Sequence, residues 1–242
     1  MKPGAMLGAV CIGLAAVLPA CTSSAAGSAL DFISLGHRSP TADVRATNRA
    51  LASRVLMAAR LAAAQNANVI VVTAATAGRY GLRSIGDLVS VAPRLVFGGP
   101  PECPERAYCL RGLQRAYGLH FQSFVPLDAG GPLTLQALSA GYIAVALLFA
   151  TDPNITARHL VVLTDDRALQ PAENITPVVS REAVARFGTR LLTVLDAVSA
   201  RLTTDSLRAL DAQVELAGHE PRPVAGDWLR AQGLMPGGGA VR

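Results

Sequence analysis

The sequence predicts an α/β protein whose sheet is mostly parallel and covered by helices. Apolar or β-branched runs of strand length alternate with helix-compatible segments through the middle of the chain, and this alternation is typical of β-α-β units. The apolar fraction is 51% and the charged fraction is 16%, so the bulk of the chain can bury a core and is not disordered. The 242 residues are enough for one large domain or two small lobes.

The individual elements follow from the spacing of the apolar residues. The first predicted helix covers 41–60, where Val44, Leu51 and Val55 recur near a spacing of 3.6 residues. The predicted strands are rich in apolar or β-branched residues and cover 67–73, 94–97, 121–127, 143–149, 160–164 and 175–179. The helices predicted between and after them cover 74–80, 110–117, 133–140, 182–187, 189–202, 205–216 and 223–232.

The beginning of the chain indicates export. Lys2 precedes an apolar run over 5–18, which has the length of a signal-peptide core and is short for a membrane span. The run ends in Leu-Pro-Ala-Cys, which is similar to a bacterial lipobox. We therefore expect Cys21 to carry lipid and to anchor the protein to the outer face of the cell membrane. An uncleaved membrane anchor and an ordinary secretory peptide are the alternatives, and both also place the protein outside the cytoplasm.

The cysteines fit an oxidising compartment. Cys11 lies in the signal segment and Cys21 is assigned to lipid, which leaves Cys103 and Cys109. Two cysteines this close in sequence in an exported protein indicate a disulfide. The alternative, a redox or metal-binding pair, has less support, because the spacing is not Cys-x-x-Cys and no histidine lies near either cysteine in the sequence.

Charge and motifs exclude several classes of function. The net charge is +5, but the 22 Lys and Arg residues are spread along the chain without a run of four, so a nucleic-acid partner is not expected. The histidines are scattered, and neither a nucleophile elbow nor a Walker-type loop is present. We therefore expect neither enzymatic activity nor a metal or other cofactor.

Two glycine loops follow predicted strands, where a glycine backbone lets a ligand approach its N–H groups. One is Gly-Gly-Pro-Pro-Glu at 98–102, and the other is Pro-Leu-Asp-Ala-Gly-Gly-Pro-Leu-Thr at 126–134. With the Tyr-Gly-Leu turn at 117–119, Leu-Phe-Ala-Thr-Asp at 148–152 and Leu-Gln-Pro-Ala-Glu-Asn at 169–174, they resemble the substrate-binding proteins of quaternary-amine ABC importers. These proteins bind glycine betaine, choline or carnitine, and the resemblance runs from about Gln65 to Leu234.

The resemblance implies a type II periplasmic-binding-protein fold, in which two α/β lobes are joined by a hinge of two crossover strands. The resemblance places the first crossover at 69–72 and implies that the first lobe, formed by residues before this crossover and near the end of the chain, is incomplete. The implied division has these parts: a signal peptide over 1–21, a tether and residual first-lobe segment over 22–68, the second lobe over 69–174, the return crossover and first-lobe helices over 175–234, and a flexible tail over 235–242.

The resemblance also implies a site for a quaternary ammonium, which is recognised by aromatic faces and by polar groups. The candidate ligand-binding residues are Glu102, Tyr108, Asp128, Gly130, Gly131, Thr134, Phe149, Thr151, Asp152 and Asn174. Structural roles are open alternatives for several of them. Asp128 and Thr134 are candidates for capping the helix that begins near 133, Thr151 and Asp152 for capping the turn at Pro153, and Asn174 is a good turn residue. Glu102 has the alternative of bonding its own loop.

The implied function is capture of a compatible solute outside the cytoplasm and its delivery to an ABC permease with its ATPase subunit. The protein is expected to be a monomer. The alternative is a truncated binding-protein lipoprotein that acts as an interaction module or has no function.

Overall fold

The computed structural model describes residues 56–235. The described chain divides into two compact units. The second unit consists of 66–171, and the first unit consists, within the described residues, of 56–65 and 172–235. The predicted signal peptide, the tether, the lipid anchor at Cys21 and most of the predicted helix over 41–60 lie outside the described residues, as does nearly all of the predicted tail.

The described strands are β1 (Leu56–Ala58), β2 (Asn68–Thr73), β3 (Val96–Gly99), β4 (Ser123–Pro126), β5 (Val145–Phe149), β6 (Leu160–Val162) and β7 (Val178–Ser180). The α-helices are α1 (Ala74–Tyr80), α2 (Leu110–Tyr117), α3 (Pro132–Ser139), α4 (Asn154–Ala157), α5 (Arg181–Phe187), α6 (Thr189–Ser199), α7 (Thr204–Asp211) and α8 (Pro221–Ala231). Short 3₁₀ helices cover Gly86–Ser90, Ala92–Arg94 and Cys103–Glu105, and a π-helical segment, Ala212–Leu216, continues α7. Among the described helices, none is both long enough and apolar enough to cross a membrane.

The second unit is built on a five-stranded sheet with the order β4-β3-β5-β2-β6. Strand β3 pairs in parallel with β4 and β5, whereas β2 pairs antiparallel with β5 and β6. Four of the five strands, β4, β3, β5 and β6, therefore run in the same direction, which agrees with the prediction of a mostly parallel sheet, and β2 runs against them. An apolar run predicts a buried strand but is the same for a parallel and an antiparallel strand. The sequence pattern therefore does not predict the direction of β2.

Strand β2 supplies core residues to both faces of this sheet. Ile70 and Val72 pack in one cluster with Phe97, and Val71 packs in the other with Leu148. Because both faces of the sheet are covered, the sequence of β2 is a continuous β-branched run and does not alternate between apolar and polar residues. The residues 69–72, which were predicted to be a crossover, lie in an interior strand of the second unit, which begins at Asn66.

The first unit contains a two-stranded antiparallel sheet of β1 and β7, with Met57 opposite Val179. Helix α6 packs on it through Leu195, which is buried with Ala59 and Val179. The prediction that the helix over 41–60 continues to its end is wrong, because 56–58 form β1. The tripeptide Leu-Met-Ala favours a helix by itself, and pairing with β7 overrides that preference.

Candidate functional site

The predicted ligand residues of the second unit follow strands that run in the same direction. Because β3 is parallel to both β4 and β5, the carboxyl ends of these three strands lie at one edge of the sheet, where α/β proteins form ligand sites. The loops 100–109, 127–131 and 150–152 leave the strands there, and we call this the carboxyl edge. The Leu127 amide donates to the Gly99 carbonyl over 2.7 Å, so the loops after β3 and β4 are in contact.

The loops after β4 and β5 also meet. Gly130 has a φ of +78°, a left-handed conformation that favours glycine. A Cβ atom at Gly130 would lie 3.4 Å from a carboxylate oxygen of Asp152 and 3.5 Å from Leu148 Cα. The carboxylates of Asp128 and Asp152 are therefore both at the carboxyl edge, on neighbouring loops.

Asp128 caps helix α3, which is the structural alternative considered for it. Its Oδ2 accepts from the Leu133 amide and its Oδ1 from the Thr134 amide, each over 2.9 Å. The Thr134 hydroxyl donates back to the Asp128 carbonyl over 2.7 Å, and Thr134 is fully buried. A Cβ at Gly131 would lie 2.5 Å from Asp128 Oδ2, so glycine at this position leaves room for the carboxylate.

These contacts set the charge of Asp128. Burial disfavours its ionised form, but hydrogen bonds from Thr134, Leu133 and Gly131 outweigh burial and lower the pKa of the carboxyl below its ordinary value. Asp128 is consequently an anion at neutral pH. It stabilises the amino end of α3 and adds a negative charge to the carboxyl edge.

The ionisation of Asp128 predicts a loss of stability in acid. Because its pKa is lowered on folding, its contribution is present above the ordinary pKa of 3.8 and is lost as the pH falls below that value towards the folded pKa. We expect Asp128→Asn to flatten the fall in the urea unfolding midpoint as the pH is lowered below about 4. Glu105→Gln, which removes an exposed carboxylate of the same unit, is the control. Parallel pH curves for wild type and Asp128→Asn would contradict the assignment.

Thr151 and Asp152 take different roles. The Thr151 hydroxyl donates to Asn66 Oδ1 over 2.8 Å, which connects the end of β5 to the residues before β2. Asp152 Oδ1 accepts from the Asn154 amide over 2.8 Å and from Asn154 Nδ2 over 3.0 Å, so it caps the turn at Pro153. Sequence reasoning missed Asn66 as a residue of the carboxyl edge. The only signal for it is a polar residue just before a β-branched run.

The loop after β3 contains the predicted disulfide between Cys103 and Cys109, whose Cα atoms are 5.1 Å apart and which are both buried. Glu102 is exposed and forms an ion pair with Arg106 at 3.7 Å, within its own loop. Tyr108 is half-buried, and its carbonyl accepts from Gln170 Nε2 over 2.9 Å.

The remaining candidates are Phe149 and Asn174. Phe149 ends β5 at the carboxyl edge and is half-buried, so Tyr108 and Phe149 are the predicted aromatic residues there. Asn174 belongs to the first unit, where its Nδ2 donates to the Ala62 carbonyl over 2.8 Å. Within 56–235, no cluster of three His, Cys, Asp or Glu side chains is arranged to hold a metal ion.

Comparison with known sequences identifies a family. The family described as the substrate binding domain of the ABC-type glycine betaine transport system matches residues 34–231. The chain is 30% identical over 175 residues to a glycine-betaine-binding protein of Pseudomonas aeruginosa, covering 68% of this chain and 55% of the relative. It is 25% identical over 173 residues to the carnitine transport binding protein OpuCC of Listeria monocytogenes, covering 71% and 55%.

A further relative is the ergothioneine transport permease/ergothioneine binding protein EgtU of Helicobacter pylori. It is 27% identical over 158 residues, which is 65% of this chain and 28% of the relative. The chain thus spans about half the length of the glycine-betaine-binding and carnitine-binding relatives and a smaller part of EgtU.

Solved structures show the same fold. A glycine betaine/carnitine/choline ABC transporter structure matches with a TM-score of 0.72 and 24% identity, covering 82% of this chain and 72% of that chain. Apo YehZ from Escherichia coli matches with a TM-score of 0.66 and 22% identity, covering 86% and 79%. The predicted α/β, type II periplasmic-binding-protein fold is confirmed, whereas the incompleteness of the first lobe stays a prediction. The chain belongs to the family of substrate-binding domains of ABC-type glycine betaine transport systems.

Proposed function

We propose that this protein is the extracytoplasmic solute-binding component of an ABC importer and that it captures glycine betaine, choline or a related quaternary amine. The observation that carries the proposal is the family match over 34–231, which includes nearly all of both described units. Relatives are glycine-betaine-binding and carnitine-binding proteins. Members of this family are solute-binding proteins, and enzymatic activity is not part of the proposal.

The chemistry of the carboxyl edge suits the cationic end of such a solute. A quaternary ammonium has no N–H group to donate, so it is held by the faces of aromatic rings and by nearby negative charge. Tyr108 and Phe149 provide rings at this edge, and Asp128 and Asp152 provide carboxylates. Since the carboxylate of Asp128 already occupies the first amides of α3, an anionic group of the solute would need donors elsewhere.

The proposal extends to location and partners. Lipid on Cys21 would hold the protein at the outer face of the cell membrane, next to an ABC permease that works with an ATPase subunit. Solute binding would shift the population towards the conformation that the permease accepts. A monomer is sufficient for this role.

A thermal unfolding experiment tests the proposal. The purified full chain is melted with millimolar glycine betaine, choline, carnitine or proline betaine. A solute that binds only the native state at about 100 times its Kd adds about 2.7 kcal/mol, which raises the midpoint by about 5 °C or more for a chain of this size. The rise should saturate with concentration.

The control separates binding from the general effect of osmolytes, which stabilise proteins by exclusion from their surface. Sucrose at the same concentration and the Tyr108→Ala variant should give only a small rise that does not saturate. A cooperative melt that none of the four solutes moves would contradict the proposal and favour the interaction-module alternative. A broad melt would indicate a fragment that does not fold alone.

A further inference from the structure

Helix α2 is covered by residues 165–170, which we call the strap. The Tyr117 hydroxyl, at the carboxyl end of α2, donates to Asp165 Oδ1 and accepts from the Arg167 amide over 2.8 Å. The Arg167 side chain donates to the Ala116 carbonyl over 2.7 Å and lies 5.0 Å above the Tyr117 ring. The start of the strap is therefore fastened to the last turn of α2.

Asp165 fixes the rest of the strap. Its Oδ1 also accepts from the Leu169 amide over 3.0 Å, and its Oδ2 accepts from the Gln170 amide over 2.7 Å. These hydrogen bonds, together with the contact to Tyr117, close the strap into a compact turn. The backbone of Gln170, at the end of this turn, is thus held in place by Asp165.

The side chain of Gln170 reaches the disulfide loop. Its Nε2 donates to the Tyr108 carbonyl over 2.9 Å. A carbonyl can only accept, so this contact also determines which end of the amide faces Tyr108. Gln170 Oε1 is buried, and none of the described residues donates to it.

The unpaired Oε1 of Gln170 indicates that the glutamine is not present for stability alone. A buried acceptor without a donor destabilises a protein, so an apolar side chain of equal length would serve stability better. What the amide supplies is the donor to Tyr108. The cysteine bridge closes the ends of the loop 103–109, whereas Gln170 holds the residue within it that carries a candidate aromatic ring.

We propose that Gln170 is a positioning residue for solute binding, which acts by holding Tyr108 and not by touching the solute. This inference rests on the proposed function. The contacts of Tyr117 and Asp165 hold the strap and so fix the position of Gln170. Gln170 in turn restricts the conformations of Tyr108, whose ring contacts the quaternary ammonium.

The test is Gln170→Met, which keeps the length of the side chain and removes both the donor to Tyr108 and the unpaired oxygen. The full chain is titrated with glycine betaine and with choline. We expect the affinity to fall by about threefold to tenfold, the effect of one hydrogen bond, while the thermal midpoint stays within about 2 °C of wild type. Gln114→Met, at an exposed position of α2, should change neither quantity. Unchanged affinity in Gln170→Met, or a parallel loss of affinity and midpoint, would overturn the inference.

A double-mutant cycle adds a second criterion. If Gln170 acts through the Tyr108 ring, Gln170→Met should cause little further loss of affinity in a Tyr108→Leu background. An equal fold-loss in both backgrounds would show that Gln170 acts independently of that ring.

A measurement without solute separates failure of the inference from failure of the proposed function. Cys103 and Cys109 are buried, so a reductant reaches them only when the loop opens locally. The rate of reduction by dithiothreitol, followed by alkylation and mass, should be severalfold higher in Gln170→Met than in Gln114→Met. Equal rates would overturn the claim that Gln170 holds the loop. A wild-type chain that binds neither solute would overturn the proposed function for those solutes, while the reduction rates still decide the role of Gln170.

Discussion

Replacing Gly112 with alanine is expected to destabilise the protein by about 2 kcal/mol, within the range of about 1–3 kcal/mol that overpacked cores show. Gly112 lies within α2, where glycine normally costs about 1 kcal/mol relative to alanine. Here a Cβ atom would lie 1.9 Å from the Ala107 carbonyl oxygen and 2.9 Å from Leu169 Cδ1. The Ala107 oxygen is backbone within the loop closed by the disulfide, so it cannot move aside as a flexible side chain would. The variant must displace either this loop or α2.

Gly78→Ala is the matched control. Gly78 also lies within a helix, α1, but a Cβ atom there would meet nothing within 4 Å. This substitution should stabilise the protein by about 0.5–1 kcal/mol, because alanine loses less backbone entropy on folding. Urea unfolding followed by far-UV circular dichroism measures both variants. Effects of the same sign would show that the close approach of Ala107 to Gly112 is not the reason for the glycine.

Removal of the disulfide is expected to have the second large effect. The bridge joins residues separated by 6 positions, and closing such a short loop in the unfolded chain is worth about 2 kcal/mol in the chain-entropy model. Replacing both Cys103 and Cys109 with alanine should lower the free energy of unfolding by about this amount, and somewhat more because both sulfur atoms are buried in the core. The Leu110 amide would also lose its contact with Cys103 Sγ.

A reductant distinguishes the bridge from the packing of the cysteines. Dithiothreitol should lower the unfolding midpoint of the wild-type chain and leave that of the double-alanine variant unchanged. If the reductant has no effect on the wild type after full reduction is verified by mass, the bridge contributes little. The difference between the reduced wild type and the variant then measures packing alone.

The order of secondary structure along the second unit was predictable because the signals are local. The residues 110–117 were predicted to form a helix and form α2, since the helix ends at Gly118, whose φ is +70°. The glycine loop at 126–134 was also recognisable, because Asp128 and Gly131 act within a few residues of each other. The sequence left a ligand role and a capping role open for Asp128, and the structure shows capping.

Features that depend on distant partners were not predictable. The strand β1 forms from residues with helical preference because β7, more than 100 positions later, pairs with it. Asn66 and Thr151 are 85 positions apart, and Tyr108 and Gln170 are 62 apart. No spacing rule connects such pairs, so Asn66 and Gln170 were not recognised as residues of the carboxyl edge or its support.

By itself, the sequence determined the α/β class of the fold, the disulfide and the glycine loops, because hydrophobic period, glycine position and cysteine spacing act over a few residues. The family followed from the resemblance of the loop motifs to known proteins. The tertiary structure decided the direction of β2, the close approach of Ala107 to Gly112 and the support of Tyr108 by the strap. These features depend on contacts between residues that are far apart in the sequence and meet only in the folded protein. Buried polar groups mostly find hydrogen-bond partners, and the fold decides which distant residue provides the partner.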